Sequence, residues 1–214
     1  MKINKEKIIL DLCGGTGSWS KPYKEARYDV RLVTIPKKDV SNYKPPKNVY
    51  GILAAPPCTM FSFARTNAKT MRDFKIAMET VYHCLRIIWE CQYQPVSNNA
   101  KYTRLKFWTL ENPYFGLLKN FIGKPAFTFD PYEFGDNYKK RTSLWGNFND
   151  PKKSPIKMSK EMLEKCKTNS RPLLKFDSIK SKDIHPKYFG KLDRQARRSI
   201  TPQGFAQAFF QANQ

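Results

Sequence analysis

The apolar run from Gly51 to Ala55, ended by Pro56-Pro57 and followed by Cys58, constrains the fold of this chain more than any other feature. Its length and composition predict a buried strand over Val49 to Ala54. Because proline fixes φ, the backbone at Cys58 has little freedom. A thiol held at a strand end is suited to nucleophilic attack on an electron-poor carbon. A buried structural cysteine explains the same pattern equally well.

Short apolar runs recur along the chain and alternate with helical patterns, which predicts an α/β fold with helices on the faces of a sheet. Apolar residues at steps of three and four from Met71 to Ile88 predict an amphipathic helix whose apolar stripe packs in the core. Thr201-Pro202 is typical of an N-cap and a first helical residue. The other predicted strands are Ile8 to Leu10, Tyr28 to Ile35, Phe107 to Leu110 and Thr142 to Trp145.

Positive charge is the strongest signal in the composition. The 39 Lys and Arg residues against 18 Asp and Glu residues give a net charge of +21. This excess favours a polyanionic partner, most simply nucleic acid. We expect no signal peptide and no membrane-spanning segment. The five cysteines lack Cys-x-x-Cys spacing, which argues against a disulfide framework or structural zinc. We therefore expect a cytoplasmic monomer without a metal.

A glycine-rich turn follows the first predicted strand. The stretch Asp11-Leu12-Cys13-Gly14-Gly15-Thr16-Gly17-Ser18-Trp19 predicts a strand, a turn and a helix. Glycines let a ligand approach the backbone closely, and a helix start offers free N–H groups. ATP is disfavoured because the lysine of a phosphate-cradling loop is missing, and the spacing differs from the dinucleotide fingerprint. A plain turn is the alternative to a cofactor site.

Two further motifs are expected near this turn. Glu111-Asn112-Pro113 follows the strand that begins at Phe107, and the basic run Tyr138 to Arg141 precedes the strand from Thr142. Since ligands in α/β sheets bind beyond the carboxyl ends of strands, the glycine turn, Cys58 and Glu111-Asn112 are predicted to meet at one edge. Glu111 could then protonate a substrate that Cys58 attacks, and the basic run could contact phosphates or bases. The alternatives are a simple turn at Glu111 and a solvated run of charge.

The order of these motifs resembles that of the DNA (cytosine-5) methyltransferase family. Asp11 to Ser18 is similar to its S-adenosylmethionine loop, and Pro56-Pro57-Cys58 with Phe61-Ser62 is similar to its Pro-Pro-Cys-Gln-x-Phe-Ser nucleophile motif. Glu111-Asn112 resembles its Glu-Asn-Val motif, and the Lys-Arg run resembles its Gln-x-Arg-x-Arg motif. Arg198 to Asn213 resembles its last conserved segment. The compact form is similar to phage or prophage members.

The resemblance implies a Rossmann-like S-adenosylmethionine-dependent methyltransferase sheet with a small, irregular basic lobe. The catalytic core is expected over 1–146, and the lobe, a reduced target-recognition region, over 147–194. The segment 195–214 is expected to return to the core. The implied reaction transfers a methyl group from S-adenosylmethionine to C5 of a flipped cytosine in double-stranded DNA, through a covalent bond between Cys58 and C6. S-adenosylhomocysteine is the expected product.

The resemblance also assigns roles to individual residues. Glu111 is expected to hold and protonate N3 of the cytosine, and Asn112 to position Glu111 and the cysteine loop. Arg141 is expected to bind near O2 or the sugar-phosphate. The implied nucleic-acid contacts are Lys139, Lys140, Arg141 and Ser62. The implied cofactor contacts are Asp11, Cys13, Gly14, Gly15, Thr16, Gly17, Ser18, Trp19, Asp39, Val40, Pro57, Thr201 and Pro202.

The chain departs from the family pattern at several positions. Cys13 replaces the phenylalanine that packs on the adenine, so stacking is expected to be weaker or to come from Trp19. Thr59 replaces the glutamine after the nucleophile, and Ser143 stands where a second arginine is expected. Little sequence is left for target recognition, which predicts short or relaxed specificity. The alternatives are an RNA cytosine methyltransferase and a catalytically silent nucleic-acid-binding module.

Overall fold

Six strands form one mixed, mostly parallel sheet. The computed structural model describes residues 4–65, 68–94, 105–136, 138–155, 174–175, 188 and 190–214. Within them, the strands of the sheet are β1 (Ile8–Leu12), β2 (Asp29–Val33), β3 (Val49–Ala54), β4 (Phe107–Pro113), β5 (Phe127–Phe129) and β7 (Thr142–Asn147). Their spatial order is β2-β1-β3-β4-β7-β5. A separate parallel pair consists of β6 (Tyr138–Lys139) and β8 (Leu174–Lys175).

Helices lie between the strands and after them along the chain. In the described residues they are α1 (Lys21–Glu25), α2 (Phe74–Gln92), α3 (Lys119–Ile122), α4 (Arg194–Arg198) and α5 (Gln203–Ala212), with 3-10 turns at Asn4–Glu6 and Pro131–Phe134. None of the helices described is both long and apolar enough to cross a membrane. The prediction of an α/β fold is confirmed.

The register of the sheet brings the carboxyl ends of four strands to one edge. Strands β1 to β4 run parallel: Leu12 at the end of β1 pairs with Val33 of β2 and Ala54 of β3, and Ala54 pairs with Leu110 of β4. Strand β7 runs antiparallel to β4, so its first residue, Thr142, lies opposite Pro113 at the same edge. The turn after β1, the loop after β3, the end of β4 and the basic run before β7 therefore meet there.

Each face of the sheet carries its own hydrophobic core, because successive strand residues point to opposite faces. Leu10 and Ile52 pack with the buried stripe of α2. Their neighbours Ile9 and Leu53 pack with aromatic side chains from α1, α5 and the turn before α1. Helices therefore cover both faces. The aromatic residues of this second core include Trp19, Tyr23, Phe107, Phe129, Phe205 and Phe209.

The structure corrects two predicted helix starts. Helix α2 begins at Phe74, because Asp73 caps it by accepting a hydrogen bond from the Ile76 amide at 3.0 Å. Met71 precedes the helix and is 92% exposed, so its assignment to the core is wrong. At the C-terminus, the N-cap of α5 is Pro202 and not Thr201, and no side chain caps this helix.

The structure agrees only in part with the predicted position of Glu111-Asn112, and it describes only part of the predicted basic lobe. Glu111 and Asn112 lie within β4, which extends to Pro113, and do not follow the strand as predicted. The basic lobe predicted for 147–194 lies outside the described residues except for 147–155, 174–175, 188 and 190–194. Helix α5, in the segment after the lobe, packs into the second core.

Candidate active site

The turn after β1 is built around left-handed backbone positions. Cys13, Gly15 and Gly17 have φ values of 56°, 54° and 69°, a region that glycine adopts without strain. The Gly17 amide donates to the Gly14 carbonyl at 2.9 Å, which closes the turn. The position of a side chain at Gly15 is open, since its nearest neighbour is the Ser199 hydroxyl at 4.0 Å. A ligand can therefore approach the backbone at Gly15.

A buried carboxylate supports this turn from the sheet. Asp11 on β1 is fully buried, and one of its oxygens accepts a hydrogen bond from the Ser20 hydroxyl at 2.5 Å. A β-carbon at Gly14 would lie 2.2 Å from its other oxygen, so only glycine fits there. Burial raises the pKa of Asp11 to about 6, although the hydrogen bond from Ser20 opposes this rise.

Three expected cofactor residues have side chains enclosed by the fold. Asp11 lies beneath Gly14, and Val40 belongs to the core beside α2. Trp19 is 2% exposed and packs against two phenylalanines of α5, at ring distances of 5.9 and 5.6 Å. These three side chains therefore also have structural roles in the fold, and their expected contacts with a cofactor stay predictions.

The remaining expected cofactor residues lie closer to the surface. The Thr16 and Ser18 hydroxyls are partly buried and hydrogen-bond each other. Asp39, on the loop after β2, is exposed, and a hydrogen bond from the Ser41 amide at 2.9 Å lowers its pKa. Among the others, Pro57 is exposed, Cys13, Gly14, Gly17 and Thr201 are partly buried, and Pro202 is buried.

Helix α2 holds both the turn after β1 and the loop after β2. The Cys13 sulfur lies 4.0 Å from the sulfur of Cys84, which is buried on α2. Two residues further along α2, Arg86 donates to the carbonyls of Val40 and Tyr43 at 2.9 and 3.1 Å. The turn after β1 and the loop after β2 are therefore both anchored to helix α2.

Cys58 begins a tight turn that is braced from outside. The Ser62 amide donates to the Cys58 carbonyl at 2.8 Å, and the Ser62 hydroxyl accepts from the Ala64 amide at 3.2 Å. The Arg72 guanidinium donates to two carbonyls of the same turn, those of Met60 and Ser62. The sequence pointed to Ser62 but not to Arg72, which no motif or spacing marks.

Asn112 connects this turn to β4. Its buried side-chain amide donates to the Pro56 carbonyl, two residues before Cys58, at 3.1 Å. Its neighbour Glu111 is a carboxyl group whose pKa is raised by burial and lowered again, in smaller measure, by the charge of Lys140. A raised pKa favours the protonated form, which a general acid requires.

The charges around Cys58 oppose one another. Burial and the negative charge of Glu111 raise the pKa of the Cys58 thiol, whereas the positive charges of Lys140 and Arg198 lower it. Protonation of Glu111 removes the negative charge that opposes the thiolate. A protonated Glu111 and a thiolate at Cys58 therefore favour each other. Arg198, near the end of the chain, was not among the predicted site residues.

Lys140, and not Arg141, is the basic residue whose charge acts on both Cys58 and Glu111. The Arg141 guanidinium lies 5.0 Å from the centre of the Tyr114 ring and 3.8 Å from the Asp130 carboxylate. Arg141 is exposed, as is Lys139, and its expected role beside the reacting ring stays a prediction.

Two comparisons with known proteins assign no family to this chain. No protein-family model matches the sequence, and no curated protein matches it. In the part of the chain that the structure describes, no group of three or more His, Cys, Asp or Glu side chains could hold a metal ion. The functional interpretation rests on the geometry of this edge.

Proposed function

We propose that the protein is an S-adenosylmethionine-dependent DNA (cytosine-5) methyltransferase. The observation that carries the proposal is that the Cys58 loop after β3, Glu111 on β4 and the basic run before β7 lie at one edge of the sheet with the glycine turn, and that Asn112 hydrogen-bonds to the Cys58 loop. A thiol next to a carboxyl group can add to a ring carbon while the protonated carboxyl group donates to a nitrogen of the same ring. The net charge of +21 supports a polyanionic substrate.

The accessible residues of the glycine turn fit S-adenosylmethionine. The open space beside Gly15 admits a ligand to the backbone, and Thr16 and Ser18 offer hydroxyl groups. The exposed Asp39 offers a carboxylate that can accept from a ligand amine or hydroxyl. When bound, this cofactor supplies an electrophilic methyl group. We assign its contacts to Cys13, Gly15, Thr16, Ser18 and Asp39.

Cys58 and Glu111 would together activate the cytosine. The Cys58 thiolate forms a bond to C6, and the electron pair of the C5–C6 double bond moves to C5. Protonated Glu111, hydrogen-bonded at N3, offsets the negative charge that the ring acquires. C5 would gain the methyl group with S-adenosylhomocysteine as the leaving group, and a solvent water molecule would then take the C5 proton. The S–C6 bond then breaks, which restores the double bond and releases the thiolate.

Covalent trapping tests the mechanism directly. The last elimination removes the C5 hydrogen as a proton, and fluorine at C5 cannot be removed in this way. DNA with 5-fluorocytosine at all cytosine positions should therefore remain bonded to the protein in the presence of S-adenosylmethionine. We expect an adduct that survives denaturing electrophoresis and is absent in Cys58→Ala. Cys91→Ala, which changes a buried cysteine on α2, is the matched control and should still form it. Absence of an adduct with the wild-type protein would overturn the proposal.

The nature of the polymer needs a separate measurement. Incubation with labelled S-adenosylmethionine and either DNA or RNA of matched sequence should place the label in DNA. Label found only in RNA would overturn DNA as the substrate while leaving the Cys58 mechanism intact. Bisulfite sequencing of DNA from expressing cells then identifies the flanking bases.

A further inference from the structure

Two large aromatic side chains lie exposed beside the Cys58 turn. Phe63, five residues after the cysteine, is 49% exposed, and Phe115, three residues after Asn112, is 60% exposed. Covering a phenylalanine ring removes apolar surface from water, so two exposed rings on hydrogen-bonded neighbouring segments offer a favourable contact to a ligand. We refer to these two residues as the phenylalanine pair.

The backbone beneath the phenylalanine pair is held in place. The Phe63 amide donates to the Phe115 carbonyl at 3.0 Å, and Ser62 and Gly116 form an antiparallel bridge. The Leu117 amide donates to the Phe61 carbonyl, also at 3.0 Å. A side chain at Gly116 would meet the Phe61 carbonyl oxygen at 3.2 Å, so the two segments approach closely. The exposure of the pair is therefore a feature of a fixed surface.

Two cations lie beside this surface, at the Tyr114 ring. The Tyr114 ring packs edge-on to Phe115 at 5.1 Å. The Arg141 guanidinium lies 5.0 Å and the Lys119 ammonium 5.3 Å from the centre of the Tyr114 ring. Aromatic faces interleaved with Lys and Arg are characteristic of surfaces that stack bases and contact phosphates. This charge pattern favours a polyanion over an apolar protein segment as the occupant.

We propose that the phenylalanine pair is a stacking surface for the nucleobases that flank the cytosine presented to Cys58. The inference rests on the proposed function and adds a substrate-binding surface to it. A base leaves the duplex at the cost of its stacking energy, a few kcal/mol. Aromatic side chains that cover the neighbouring bases restore part of that energy, and they do so whatever the sequence, because every base has a π-face.

Salt dependence distinguishes stacking from charge. The test measures binding of a fluorescein-labelled, mixed-sequence DNA duplex by anisotropy, without S-adenosylmethionine, at several salt concentrations. Each of Phe63→Ala and Phe115→Ala should weaken binding by about tenfold with no change in the slope of log Kd against log salt. Lys119→Ala should instead reduce that slope by about one. Phe63→Leu and Phe115→Leu, which keep apolar volume, should behave like the alanine variants.

Tyr93→Ala supplies the matched control, because Tyr93 is 79% exposed at the far end of the 19-residue helix α2. This change should leave binding unaltered. Wild-type affinity in both phenylalanine variants, an equal loss in Tyr93→Ala, or a wild-type protein that binds no DNA would each overturn the stacking surface. Failure of the methyltransferase proposal is seen separately, as absent trapping by a protein whose DNA binding still depends on the phenylalanine pair.

Discussion

The turn after β1 and the loop after β3 reach the same edge of the sheet, but different forces hold them there. The turn is held mainly by its own residues, through left-handed backbone at Gly15 and Gly17 and the hydrogen bond from Ser20 to Asp11, with one outside contact, between Cys13 and Cys84 of α2. The loop that carries Cys58 is held from outside, by Asn112 of β4 and by Arg72, which precedes α2.

This difference separates what the two regions can do. A turn shaped mainly by its own residues keeps one conformation, which suits the binding of a single cofactor. A loop tied to β4 places its nucleophile according to the strand that carries the acid. We therefore expect changes in the turn to affect stability and cofactor binding together. Changes in the ties of the Cys58 loop should slow adduct formation and leave cofactor binding intact.

Gly14→Ala should have the largest effect. Its β-carbon would lie 2.2 Å from a carboxylate oxygen of Asp11, which is enclosed and cannot move away. We expect a loss of about 3 kcal/mol in the free energy of unfolding, measured with denaturant, and loss of S-adenosylmethionine binding in calorimetry. Gly15→Ala enters open space and costs only left-handed strain, about 1 kcal/mol. Equal losses in the two variants would contradict the tight fit between Gly14 and Asp11.

Asp11→Asn should change how stability depends on pH. The pKa of Asp11 is raised from 3.8 to about 6, so the folded state holds a proton more tightly than the unfolded state between these values. The wild-type protein should therefore gain about 2 kcal/mol relative to Asp11→Asn as the pH falls from 7 to 4. Urea unfolding of both proteins across this range measures the difference. Parallel curves of unfolding free energy against pH would show that the pKa of Asp11 is not raised in the folded state.

The same contrast explains which features the sequence could predict. Strand β3 and the glycine turn depend on consecutive residues, and their positions agree with the sequence pattern. Met71 was misplaced because Asp73 competes as a helix start. Which residue of the basic run acts at the sheet edge could not be predicted, because a run of charge does not specify it. Arg72 could not be found, since its hydrogen bonds depend on tertiary packing alone.

Asn112→Ala should test the tie between β4 and the Cys58 loop. The change leaves the Pro56 carbonyl without its buried donor, at a cost of about 2 kcal/mol in the free energy of unfolding. We expect slower formation of the 5-fluorocytosine adduct and unchanged affinity for S-adenosylmethionine. Asn120→Ala, an exposed position on α3, is the control and should match the wild type. Loss of cofactor binding in Asn112→Ala would contradict the separation of the two regions.

Arg72→Ala should have the smallest effect on stability and still slow the reaction. Its two carbonyl partners lie in a partly exposed turn, so water can replace the guanidinium, and we expect a loss of about 1 kcal/mol. Adduct formation should slow by about tenfold, because the thiol is less well positioned. Arg72→Lys keeps the charge but not the two-pronged contact, and it should slow the reaction similarly. If lysine restores the wild-type rate, the positive charge of Arg72 matters and its bracing of the Cys58 turn does not.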